Sequence, residues 1–143
     1  MADLNGRCMC GAVTVRATAD KPILRACHCD MCRRWGSSMF MSLPTDPESV
    51  EVEGPVRIFR SSDWAERAFC ETCGSSLWYM ALEDQVRQLA AGLFDDAAGN
   101  TLKLEIFADR TPKGYAFSGE HRRLSEAECL DLFAPKDKAG DKA

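Results

Sequence analysis

Seven of the eight cysteines fall into three tight groups: Cys8 and Cys10; Cys27, Cys29 and Cys32; Cys70 and Cys73. Their spacings, C-x-C and C-x-x-C, are those of metal ligands. A Zn²⁺ ion takes four ligands in a tetrahedron. A structural site fills all four from the protein, whereas a catalytic site supplies three and leaves one for water or substrate. The simplest partition of seven thiolates is therefore four plus three. Cys8, Cys10, Cys70 and Cys73 would clamp one ion, and Cys27, Cys29 and Cys32 would hold a second with one position open. Two Zn²⁺ per chain are expected on this reading. A single four-cysteine site with free thiols also fits the count, because spacing alone does not decide which pair joins which.

Three thiolates and one Zn²⁺ sum to about −1, which makes the ion a poor activator of water and a good home for a soft ligand. A thiol entering the open position would be deprotonated at neutral pH and become a nucleophile for a small electrophile. Arg33 and Arg34 could receive its carboxylates, or be solvated cations; Trp35 could wall the pocket, or be a core aromatic. Arg60, Trp64 and Arg67 are lesser candidates of the same kind. His28 lies between two of the thiolates. On extended backbone it points away from both, so it reads as a hydrogen-bonding or packing residue rather than a fourth ligand. Asp30 reads as a solvated turn carboxylate that could alternatively reach the metal. Cys129, near three apolar helix positions, reads as a buried inert thiol.

Length and charge narrow the classes. The chain has 143 residues, enough to bury a core without cross-links. One domain is expected over residues 1–133, with 134–143, which has no large apolar residue, as a disordered charged tail. The formal charge is −4; seven thiolates and two Zn²⁺ would take it to −7. Neither value suits a phosphate-backbone binder, and there is no apolar run long enough to span a bilayer. Without a recognisable export signal the cytoplasm is the expected location. There, repeated cysteine pairs read as metal ligands rather than disulfides.

The elements that position the clusters alternate in the β manner. Residues 11–18 alternate around Val13 and Val15, so a strand is expected directly after the first pair. If Cys8 and Cys10 are extended too, both sulfurs share one face. Lys21-Pro22 marks a turn, and 23–26 a short strand into the central cluster. A short helix is expected over Cys29–Trp35, ended by Gly36-Ser37-Ser38. Further strands are expected over 39–43, 50–54 and 56–60, the last two as antiparallel neighbours across Gly54-Pro55. Gly74 suits a tight knuckle after Cys73. Residues 86–94 could be strand or short helix, 95–100 a turn, and 102–107 a strand. Ser125 with Glu128 three residues on has the form of a capping box opening a last helix.

Three stretches then carry a resemblance: Cys8-Met9-Cys10-Gly11-Ala12-Val13, Cys27-His28-Cys29-Asp30-Met31-Cys32-Arg33 and Phe69-Cys70-Glu71-Thr72-Cys73-Gly74-Ser75. In this order they resemble the three signatures of the glutathione-dependent formaldehyde-activating enzymes, which share their domain with centromere protein V. The resemblance implies a mainly β fold, an Mss4-like β-tent of antiparallel strands with short helices. It implies a structural zinc on Cys8, Cys10, Cys70 and Cys73 and a catalytic zinc on Cys27, Cys29 and Cys32. It also implies a carbon–sulfur lyase, with a small thiol such as glutathione and formaldehyde or another small aldehyde as partners. Residues 108–115 keep the family's strand, proline and aromatic, with Tyr115 where the family pattern has tryptophan. The competing reading is a non-enzymatic, zinc-stabilised binding module whose second site is closed by His28, Asp30 or a partner's side chain. A redox or metal-release switch built on the three-cysteine site is a further one.

Overall fold

The computed structural model describes residues 2–20 and 23–133. In chain order the strands are β1 (Ala2–Arg7), β2 (Thr14–Ala19), β3 (Leu24–Cys27), β4 (Phe40–Pro44), β5 (Glu51–Glu53), β6 (Val56–Arg60), β7 (Ala65–Cys70), β8 (Ser76–Ala81), β9 (Arg87–Ala90), β10 (Leu102–Ile106) and β11 (Arg122–Arg123). The helices are α1 (Asp30–Gly36) and α2 (Glu126–Phe133). The structure is mainly β with short helices. It forms two compact units, Met1–Ile23 with Ser42–Asn100, and Leu24–Met41 with Thr101–Ala143. The turn expected at Lys21-Pro22 and the tail expected over 134–143 lie outside the described residues. No described helix is long and apolar enough to cross a membrane.

In the first unit β1, β2 and β5 make an antiparallel sheet in the order β1-β2-β5. Its inward positions alternate along β2, where Val15, Ala17 and Ala19 are buried. β1 has no counterpart in the sequence reading: Leu4, opposite Ala17, is its one large apolar residue, and it is buried. A second antiparallel sheet runs β4-β9-β8-β7-β6. Leu43, Ala68, Leu77, Trp78 and Leu89 fill its core.

β5 and β6 are not the antiparallel neighbours expected. β5 pairs with β2 and β6 with β7, so Gly54-Pro55 is a crossing between sheets rather than a hairpin turn. Gly54 sits at φ +116° with its backbone pressed on the loop after Cys10. A Cβ there would stand 2.1 Å from the Ala12 carbonyl oxygen. Gly54→Ala should therefore cost about 3 kcal/mol or more, from strain and backbone displacement together. Urea denaturation would measure it.

In the second unit β11, β10 and β3 run parallel, in that order. The capping box forms as read. Ser125 N–H donates to Glu128 Oε1 at 2.9 Å and Glu128 N–H to Ser125 Oγ at 3.2 Å, which fixes where α2 starts. α2 buries Cys129, and the amide of Phe107 donates to its sulfur at 3.3 Å. Burial pushes that thiol's pKa up, as an inert core cysteine requires.

Candidate metal centres

The first cluster is built from two knuckles. β1 ends at Arg7 and β2 starts at Thr14, so the condition of an extended Cys8–Cys10 segment is not met: a turn, not the pleat of a strand, brings their sulfurs together. Cys8 N–H donates to Val13 O and Gly11 N–H to Cys8 O. The amides of Val13 and Ala12 donate to the sulfurs of Cys8 and Cys10, at 3.3 and 3.4 Å. Sixty residues on, β7 ends at Cys70, the Cys73 amide donates to its sulfur at 3.4 Å, and Gly74 closes the turn at φ +78°.

These four sulfurs lie within 4.8 Å of one another. Cys8 and Cys10 are 3.6 Å apart and Cys10 and Cys70 3.9 Å. Zn–S bonds of ~2.3 Å in a tetrahedron put neighbouring sulfurs about 3.8 Å apart, so the donor set fits that ion. The sulfurs are free, not paired as disulfides. Their charges also call for a cation. The Ser75 hydroxyl and amide pull the Cys73 thiol down to about 5. The Ala12 amide favours a Cys10 thiolate, but burial and the sulfurs of Cys8, Cys73 and Cys70 outweigh it and push Cys10 up to about 11.

The second cluster lies wholly in the second unit. Cys27 ends β3, Cys29 caps α1 with its sulfur accepting the Cys32 amide at 3.4 Å, and Cys32 lies buried in the helix. The three sulfurs lie within 4.8 Å of one another. The neighbouring sulfurs of Cys29 and Cys32, then burial, raise the Cys27 thiol well above its usual value. Three thiolates cannot share this space without a positive charge between them, so this set too fits a metal ion.

Neither own-chain group that could have closed the trio joins it. His28 is fully buried and its Nε2–H donates to Glu105 Oε1 at 2.8 Å, with its ring against Tyr115 and Phe117. Asp30 accepts from Arg33 Nη2 at 2.5 Å, and Arg110 approaches at 3.7 Å while donating to Glu126 at 2.7 Å. Arg33, and after it Arg110, holds the Asp30 carboxyl below its ordinary range. Arg33 is thus tied to Asp30, while Arg34 is exposed and reaches the Asp30 carbonyl at 3.5 Å. Trp35 packs on Phe40 with ring centroids 4.9 Å apart. Arg60, Trp64 and Arg67 belong to the other unit; Arg67 is buried over the Tyr79 ring.

Sequence reasoning missed Glu105, His121 and Arg123. Glu105 accepts from His28, from His121 Nε2 and from Arg123 Nε at 2.9 Å, so both histidines of the chain end on one buried carboxylate. Burial opposes its ionisation, but hydrogen bonds from His121 and His28 and the Arg123 charge win, and its pKa is lowered. Beside it lies a cavity of about 290 Å³ lined by Tyr115, Phe117, Pro112, Lys113 and Arg123 among others. The Tyr115 hydroxyl donates to Ser38 O at 3.2 Å. The signal was faint: an acid inside an alternating strand, and His121, a histidine without an assigned role. His28 reads from the sequence as a hydrogen-bonding or packing residue, but with no partner named.

Comparison with known proteins gives the family. The profile of the family described as glutathione-dependent formaldehyde-activating enzyme matches residues 3–110. An uncharacterized lyase of Schizosaccharomyces pombe is 33% identical over 132 residues, 91% of this chain and 96% of that one. A Halomonas elongata protein provisionally named for the family's activity is 32% identical over 85 residues, 52% of this chain and 54% of that one. A crystal structure of a Rhodobacter sphaeroides protein shares the fold, with a TM-score of 0.57 at 18% identity, over 84% of this chain and 99% of that one. With the profile spanning most of the chain and a relative matched nearly end to end, the protein belongs to the glutathione-dependent formaldehyde-activating enzyme family.

Proposed function

We propose that the chain is a carbon–sulfur lyase that joins a glutathione-like thiol to formaldehyde or another small aldehyde, or cleaves that adduct, at the Cys27–Cys29–Cys32 cluster. The observation that carries this reading is a set of three convergent sulfurs with no fourth histidine, cysteine or carboxylate among the described residues in the same cluster. A Zn²⁺ ion held there would lower the pKa of an incoming thiol and place positive charge at its sulfur. Cys27, Cys29 and Cys32 would hold it. Glu105 fixes His28, and with it the backbone that carries Cys27 and Cys29. Lys113, on the rim of the cavity lined by Tyr115 and Phe117, suits a substrate carboxylate. In the reaction the thiol sulfur bonds the carbonyl carbon, and the thiol proton ends on the former carbonyl oxygen.

The alternative of a binding module closed by His28 or Asp30 loses support, since both side chains are engaged elsewhere. Cys29→Ser is the test. Metal content should fall from two ions per chain to one, and adduct formation should drop about 100-fold or more, while Cys129→Ser changes neither. Unaltered turnover with the second ion gone would remove the basis for the reading.

A further inference from the structure

The last strand of the larger sheet in the first unit, β6, is exposed on both faces. Arg57, Ile58, Phe59 and Arg60 are all exposed, with Ile58 at 48% and Phe59 at 62%. Neighbouring residues of a strand point to opposite faces, so neither face of β6 is covered. Its edge is open too among the described residues, where β7 is its one partner and β6 ends the strand order.

The ladder shows which backbone groups the edge presents. Glu71 N–H donates to Pro55 O and Ser61 N–H to Ala65 O. In an antiparallel pair the bonded residues alternate, so odd-numbered residues of β6 bond β7 and Val56, Ile58 and Arg60 turn their N–H and C=O outward. These three positions are symmetric about Ile58. We propose that β6 is a docking edge for a second copy of this chain, paired antiparallel about a two-fold axis at Ile58.

In that register Ile58 faces Ile58 of the other copy, Val56 faces Arg60, and Arg57 faces Phe59. Three outward residues per copy, each with one donor and one acceptor, make six hydrogen bonds between the copies. No like charges stand opposite each other. Arg57, held by Glu71 at 3.3 Å, lies over the opposing Phe59 ring in cation–π fashion. The Arg60 stem covers Val56. Sliding by one bonded step spoils this: one direction sets Arg57 against Arg57, the other leaves the outward groups of Val56 unpaired. Isologous pairing of this kind closes at two copies. The joined area is small, so the dimer is weak and concentration-dependent.

Sedimentation velocity on the zinc-loaded protein from about 10 µM to about 1 mM tests this. The expected result is a monomer–dimer equilibrium, with slower hydrogen exchange at the Ile58 amide as concentration rises. Ile58→Pro removes an outward donor without touching the β6–β7 ladder and should weaken the dimer about 10-fold or more. Phe59→Ser, which keeps the backbone, should also weaken it while the melting temperature stays close to that of the parent. A monomer at every concentration overturns the proposal. So does a dimer that both variants leave unchanged, or an Ile58 amide whose exchange ignores concentration.

Discussion

Glu105→Ala should lose about 3–5 kcal/mol of folding stability, because it leaves two buried histidine N–H donors without an acceptor, each at a cost of about 1–3 kcal/mol. His28 and His121 side chains are 0% and 2% exposed and each directs an N–H at this carboxylate, joined by the Arg123 guanidinium. Water cannot take over the two histidine bonds, whereas the half-exposed Arg123 can be solvated. Glu105→Gln keeps the shape but sets an amide donor among three converging donors, so an intermediate cost of roughly 1–3 kcal/mol is expected. Urea denaturation at neutral pH would rank the three proteins. Equal stabilities for all three would show that the cluster contributes nothing.

The same carboxylate gives a pH signature. Its folded-state pKa is lowered, so its stabilisation is fully present above the unfolded carboxylate value and is lost as pH falls through the folded value. The gap between parent and Glu105→Gln should therefore be widest near neutrality and narrow in acid. A gap that widened in acid would have the wrong sign. The Zn²⁺ proposed for the three-cysteine cluster gives a second readout. Loosening His28 should weaken zinc at the Cys27–Cys29–Cys32 cluster by about 10-fold or more and leave the four-cysteine cluster as it was.

Much of this was legible in the residues and some was not, for physical reasons. Cysteine spacing gave both clusters, because metal ligands must lie close in sequence or be carried together by knuckles. Gly74 and the Ser125–Glu128 box were readable because local backbone geometry dictates those residue types. β1 was hidden: it carries one large apolar side chain, and its pairing with β2 does the work that propensity does not. Glu105 was hidden more deeply. The alternation of Leu102, Leu104 and Ile106 suggests that those residues face inward and the acid outward, yet Glu105 is the buried one. Tertiary partners, two histidines and an arginine brought from 28, 121 and 123, reverse that pattern, and no local rule foretells them. The false hairpin at Gly54-Pro55 has a related cause: a turn signal marks a change of direction, not which strand waits on the other side.

Removing the Zn²⁺ proposed for the four-cysteine cluster should have the largest effect of all, and its size follows from chain topology. Cys10 and Cys70 are 60 residues apart in sequence. Closing a loop of that length is worth about 4 kcal/mol by the chain-entropy reasoning used for disulfides. A domain is stable by only about 5–15 kcal/mol in total, so losing this staple takes a large share even before the exposed knuckles are counted. Cys70→Ser, at a fully buried sulfur, should lower the melting temperature by more than about 10 °C. A strong chelator should do the same to the parent and little more to the variant. The other cluster closes only the six-residue stretch from Cys27 to Cys32, a local loop whose release costs roughly half as much. Cys29→Ser should therefore melt closer to the parent while losing its second ion. If the two variants melted alike, the division into a stapling centre and a working centre would fail.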